Sequence, residues 1–159
     1  MRSIQLSTLA LMLSLALPAA ALGGAGTGLS FAQVTLDLAG HFSMAQSTPV
    51  GGRPRLMGAT ADKLAVLEVV GDLDDLTSAT LAVAAPKDAP AALARNSGLL
   101  LAFARNATFH WPGSTKWVLA ALKRTRETGK TVIVVRHGNL VTVRAEPALG
   151  LILISVKHR

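Results

Sequence analysis

Residues 131–156 read TVIVVRHGNLVTVRAEPALGLILISV, and this stretch decides the fold. Thr131-Val-Ile-Val-Val135 and Leu140-Val-Thr-Val143 are runs of β-branched residues, which lose side-chain freedom in a helix but pack well on a pleated surface. Arg136-His-Gly-Asn139 separates them, and its Gly-Asn pair is a common two-residue hairpin turn. Leu149-Gly-Leu-Ile-Leu-Ile-Ser-Val156 is apolar at alternate positions of both parities, so both of its faces look inward. That is the pattern of a strand in the interior of a sheet.

Two helices precede these three strands. Asp88–Asn106 places Leu93, Leu100, Phe103 and Ala104 at helical spacing, with Asp88 as the cap and Pro90 in the first turn. Thr108-Phe-His-Trp-Pro-Gly113 interrupts the pattern. A second helix follows over Ser114–Thr128, capped by Ser114 or Thr115 and stopped at Gly129. Its apolar face carries Trp117, Val118, Ala121, Leu122 and Thr125. Further upstream, Leu64–Val70 and Ala79–Ala84 read as strands, joined through the acidic stretch 71–78. The order from residue 62 is ββααβββ. Consecutive strands and hairpins point to an α+β domain over 61–159: an antiparallel five-stranded sheet with two helices on one face. The alternative pairs some strands in parallel across the helical crossover.

The N-terminal part reads differently. Met1–Leu22 has one positive charge at Arg2, an apolar core from Leu9 to Leu17, Pro18 and then Ala19-Ala20-Ala21. These are the parts of a secretory signal peptide, with cleavage expected after Ala21. Residues 22–60 are rich in Gly, Ser and Pro and sustain no period, so they read as a flexible tail or linker. Val34-Thr-Leu-Asp-Leu38 is the exception, either a short strand or an apolar contact. The expected location is the periplasm or the medium, and the Ala-, Leu- and Arg-rich usage suggests a bacterium.

Composition removes several classes of function. Half of the chain is hydrophobic and only 16% is charged, against roughly 25% in an ordinary domain, so a wholly disordered chain is excluded. The absence of cysteine excludes a disulfide scaffold, a thiolate metal site, a catalytic cysteine and a lipoprotein anchor. No nucleophile motif, phosphate loop or dinucleotide fingerprint is present, and no cofactor is implied.

Four features remain as candidates. Asp72, Asp74 and Asp75 gather oxygen ligands on one turn, a weak resemblance to a calcium loop, whereas Asp side chains in turns ordinarily bond nearby N–H groups. His110 lies between Phe109 and Trp111 in the break between the helices, the setting of a general base if an acid partners it. Phe109, Trp111 and Trp117 are half of the six aromatics, and a loop that presents such rings can bind a ligand or a partner. Finally, charge is uneven. The chain carries +7 overall, yet residues 61–90 hold two basic and six acidic groups while residues 105–159 hold ten basic and two acidic. Lys123, Arg124, Arg126, Arg136 and Arg144 belong to the basic half and share a surface if the strands pair as expected. Such a face attracts an anionic polymer, a membrane surface or another protein, nucleic acid being the least expected partner of an exported chain.

The reading that follows is a small exported binding or interaction module. Its alternatives are a small hydrolase using His110 with an acidic partner, and a factor that self-associates through complementary charge.

Overall fold

A computed structural model describes residues 26–86 and 88–159. The expected signal peptide and cleavage site fall outside the described residues. The elements are α1 (Phe31–Thr35), β1 (Ser43–Val50), β2 (Arg53–Ala59), β3 (Ala65–Asp72), β4 (Asp75–Ala84), α2 (Pro90–Ala107), α3 (Ser114–Thr128), β5 (Val132–Arg136), β6 (Asn139–Glu146) and β7 (Leu151–His158). All strands join one antiparallel sheet in the order β1-β2-β3-β4-β7-β6-β5. The fold is α+β, as the sequence leads one to expect, but the sheet has seven strands rather than five. The order of elements is correspondingly αββββααβββ.

The two additional strands and α1 come from the segment expected to be a tail. Three physical facts hide them. First, β1 is an edge strand, exposed along most of its length, and so needs little apolar sequence. Second, Pro49 and Pro54 read as breakers, but Pro49 lies on the edge strand and Pro54 at the start of β2, both beside the irregular step in the β1–β2 ladder where proline is tolerated. Third, Gly51 and Gly52 form the β1–β2 turn at φ 57° and 75°. Both angles are positive, as a tight hairpin requires. Gly58 makes the pairing possible, since a Cβ there would sit 2.4 Å from Met44 Sδ. Val34–Leu38 is not a strand. Val34 lies in α1 and Leu38 in the turn that follows it, and both are fully buried.

Side chains alternate across the sheet, so each strand serves two faces. The face under α2 and α3 carries the main core, with Leu67, Leu81, Val143 and Ile154 packed against Phe103 and Val118. The opposite face carries a smaller cluster of Val66, Ala82, Leu151 and Leu153. β7 lies between β4 and β6, the interior position that its two apolar faces imply.

Also on the second face, Arg55 of β2 pairs with Glu68 of β3 through Nε and Oε1. Glu68 is only 1% exposed and Arg55 9%. Two further atoms of the pair, Arg55 Nη2 and Glu68 Oε2, have no hydrogen-bond partner among the described residues. Burial pushes the Glu68 carboxyl above its ordinary value, and the charge and hydrogen bond of Arg55 bring it only part of the way back.

The helices differ in detail from expectation. The residue before α2 is Ala89, not Asp88, and the residue before α3 is Gly113; neither helix has a side-chain cap. The β5–β6 turn is centred on His137 and Gly138, at φ 50° and 78°, one residue before the expected Gly-Asn pair. Asn139 therefore belongs to β6.

Two polar residues of α2, Asn96 and Asn106, are buried. Asn96 Nδ2 donates to the carbonyls of Leu64 and Ala84 at 3.2 and 2.7 Å, tying the helix to the ends of β3 and β4. Arg95 holds the Asn96 oxygen and bonds Asp62 Oδ2 at 2.6 Å. Partial burial opposes the Asp62 charge, but bonds from Arg95, Thr60 and the Leu64 N–H outweigh it and keep that carboxyl below its usual value. Asn96→Ala removes both of these bonds, although Leu64 O keeps the Ala84 N–H at 2.7 Å, and a loss of about 1–3 kcal/mol is expected in urea unfolding. A loss under about 0.5 kcal/mol, the ordinary scatter of surface changes, would mean that the two bonds add no net stability.

Candidate functional site

The C-terminal end of α2, the β5–β6 hairpin and the residues before α1 meet at one end of the sheet. Each has a local reason to be there. After Ala107 the chain leaves the helix, and Trp111 N donates to Thr108 O at 2.8 Å, which closes a turn. Gly113 takes a left-handed φ of 83° and lets α3 begin at once. These bonds hold Phe109, His110 and Trp111 on a short arch over the sheet. On the other side, the His137–Gly138 turn sets Arg136 and Asn139 as a cross-strand pair. The chain before α1 completes the arrangement. Thr27 N and Oγ1 both donate to Leu76 O, and Leu76 N donates to Leu29 O, beyond the last β4–β7 pair at Ser78 and Lys157. Asn139 Nδ2 then donates to Thr27 O at 2.8 Å, fastening this arm to β6.

Between these parts lies a cleft of about 110 Å³. Its floor is apolar: Leu29, Ala107, Val141 and Val156. Its rim carries Phe109, His110, Trp111, Arg136 and His137. The Arg136 guanidinium lies 5.4 Å from the centre of the Trp111 ring, a cation–π contact. Trp111 in turn leans on Trp117, with ring centres 5.3 Å apart at 49°. Phe109 and His110 are in ring contact at 3.5 Å. No aspartate or glutamate lines the cleft. Among the described residues, no carboxylate forms a salt bridge with Arg136. Asn139 Oδ1 is buried and has no hydrogen-bond partner among the described residues. The amide orientation is fixed by chemistry, because Thr27 O can only accept and must face the NH₂ group.

The sequence candidates divide accordingly. Phe109, His110, Trp111 and Arg136 come together at the cleft. Lys123, Arg124 and Arg126 lie exposed on the C-terminal half of α3, away from it. Lys123 stands 3.9 Å from Glu127, one helical turn on. Arg144 does not join them. Val141 and Val143 face the helices, so Arg144 points to the opposite face of the sheet, where it is paired with Glu146. The basic set therefore spreads over both sides of the sheet. Asp72 and Asp75 pair across the β3–β4 turn, and Asp75 Oδ1 accepts from Gly28 N at 3.0 Å. No cluster suited to a metal ion is found among the described residues, so these aspartates do not converge into a calcium site. None of them lines the cleft beside His110.

Sequence reasoning passes over His137, Asn139 and Thr27. The first two flank or form a turn that reads as a connection only. Thr27 meets Asn139 across 112 residues of chain, and no local pattern signals such a contact. Comparison with protein-family models, curated proteins and solved structures finds no match for this chain.

Proposed function

We propose that this chain is an exported binding module and that its ligand sits in the cleft between the Phe109–Trp111 arch and the β5–β6 hairpin. One observation supports the reading above the others: Phe109, His110, Trp111 and Arg136, from two distant segments, converge on a concave site with an apolar floor. Concave, largely apolar pockets with a few placed polar groups are where proteins take small molecules. The volume, about 110 Å³, is below the roughly 300 Å³ of a drug-sized site and suits a very small ligand or a single group of a larger one. Export rests on the Met1–Leu22 pattern, and N-terminal sequencing of the secreted protein tests it, with Leu22 as the expected first residue. A first residue at Met1 would overturn that part.

The binding role is tested by NMR on the isotope-labelled protein against a mixed set of small acids, amines, amides and sugars. Shifts clustered at 109–111 and 136–139 are expected. The control is the triple charge reversal Lys123→Glu, Arg124→Glu, Arg126→Glu. All three side chains are exposed, so the fold should persist and cleft binding should change less than about twofold, since charges more than about 10 Å away are screened at 0.1 M salt. Shifts confined to α3, lost in the triple variant, would move the function to the basic helix face.

A further inference from the structure

We propose that β5 is a docking edge for an extended acidic peptide, which adds to the sheet as a further strand. Binding there does not require the cleft to be occupied. Three features of β5 carry it, and the free backbone comes first. β5 lies at one end of the sheet, and only β6 pairs with it. Arg136 and Asn139 flank a two-residue turn and exchange both of their backbone bonds. Bonded and non-bonded pairs alternate along an antiparallel ladder, so Val134 and Val132 also bond β6. The N–H and C=O groups of Ile133 and Val135 therefore point away from β6, and no turn or loop backbone group among the described residues takes them. Proteins ordinarily blunt such an edge with proline, charge or a bulge. The other edge, β1, is guarded in this way, since it holds Pro49 and its ladder is irregular between Ser47 and Val50. In β5, Val132–Val135 has no proline, no charge and no irregular step.

The side chains come second. Val132 and Val134 pack against the main core, which leaves Ile133 and Val135 on the opposite face, 56% and 37% exposed. A strand laid against β5 can cover both with apolar residues at alternate positions, the way extended peptides join a sheet edge.

Charge selects the occupant. Trp117 in the first turn of α3 meets Trp111, and Trp111 meets Arg136 at the end of β5, so α3 and β5 run antiparallel. Residues 123–137 hold Lys123, Arg124, Arg126, Lys130 and Arg136 against a single acid, Glu127. All five basic side chains are exposed. Antiparallel pairing with a second copy of β5 would set the Lys130 end of each strand against the Arg136 end of the other, and like charges oppose it. A segment with an apolar centre and acidic flanks complements the same surface.

The test is NMR of the isotope-labelled secreted protein with a synthetic peptide, Thr-Val-Thr-Val-Thr flanked by glutamates at both ends. The comparison ligands are the same centre flanked by lysines, and polyglutamate. The glutamate-flanked peptide should slow hydrogen exchange of the Ile133 and Val135 amides at least about tenfold, because they gain partners. The Val132 and Val134 amides, already bonded to β6, should change less. Neither comparison ligand should protect Ile133 or Val135. Ile133→Pro removes one outward N–H at an edge position that tolerates proline, and should weaken binding about tenfold. Ile133→Glu changes only an exposed side chain and should weaken binding by repelling the flanks, so the test stands even if the proline variant does not fold. The triple reversal Lys123→Glu, Arg124→Glu, Arg126→Glu should weaken it about tenfold, the combined effect of several surface ion pairs. Protection of Ile133 and Val135 in the peptide-free protein that rises with protein concentration would make a second copy the occupant and overturn the peptide. Equal protection by the lysine-flanked peptide overturns the acidic partner. Shifts without protection, matched by polyglutamate, overturn strand addition. No response to the glutamate-flanked peptide refutes the docking edge and leaves the cleft, read at residues 109–111, standing.

Discussion

Arg55→Met is expected to lower the unfolding free energy by about 3–5 kcal/mol, because it leaves the Glu68 charge buried and unpaired. The cost is asymmetric. Each ion has already lost its water, and their mutual attraction offsets that loss only while both are present. Here the offset is incomplete even in the intact protein, since Arg55 Nη2 and Glu68 Oε2 lack partners. The double variant Arg55→Met, Glu68→Leu should therefore recover the loss and end equal to the parent or about 1–4 kcal/mol above it. Chemical unfolding of the two single variants and the double variant measures the coupling. A double variant as unstable as Arg55→Met would show that the pair contributes stability beyond mutual compensation. The sign of the pH dependence follows from burial. The folded Glu68 carboxyl holds its proton more tightly than the unfolded chain does. Its contribution is fully present below the ordinary carboxylate range and is lost as pH rises through the raised value. Without Arg55 that value rises further. The defect of Arg55→Met should thus be largest near neutrality and shrink as pH falls through the ordinary carboxylate range to about 3, where Glu68 is neutral in both states.

Phe103→Ala should cost a similar amount, about 3–5 kcal/mol, by a different route. Phe103 is completely buried and is the largest side chain so enclosed. It stands where α2 faces the sheet, in the same cluster as Leu67, Leu81 and Val118. Truncation removes apolar contact and leaves a void that the surrounding strands cannot fill, because their hydrogen bonds fix their spacing. Phe103→Leu keeps most of the volume and should cost less than about 1.5 kcal/mol. Urea unfolding at one temperature distinguishes the two. Equal losses for alanine and leucine would show that ring shape, rather than volume, holds α2 in place. No pH dependence is expected, which separates this defect from that of Arg55→Met.

Most of the second half of the fold was legible because its local signals agree. α3 begins after Pro112-Gly113 and ends at Gly129, as Ser114–Thr128 reads in the sequence. β5, β6 and β7 follow from branched residues set apart by short turns. Residues 26–60 were not legible, for reasons specific to them. SMAQSTPV in β1 has few apolar positions to alternate, and an edge strand does not need them. Around the end of α1 the spacing of Val34, inside the helix, and Leu38, in the turn beyond it, fits a strand and a helical turn equally, and five residues are too few to separate the periods. At the cleft, aromatic scarcity drew attention to Phe109 and Trp111, whereas Thr27 and Asn139 acquire meaning only once the sheet closes. The placement of Arg144 could have been read earlier. With Val141 and Val143 both inward, strand alternation already sends it to the other face.

The position of β7 has a consequence for how the chain is made. It is seventh among these strands in sequence and fifth in space, between β4 and β6. Until β7 leaves the ribosome, the β1–β4 meander and the β5–β6 hairpin have no edge in common and remain two separate pieces. Leu81, Ile154 and Val143 then become neighbours in a single late event. Pairing across so much chain is slow compared with local hairpin closure. The sheet therefore cannot be completed before β7 is present, and loss of this strand would remove the seam between the halves rather than trim an edge.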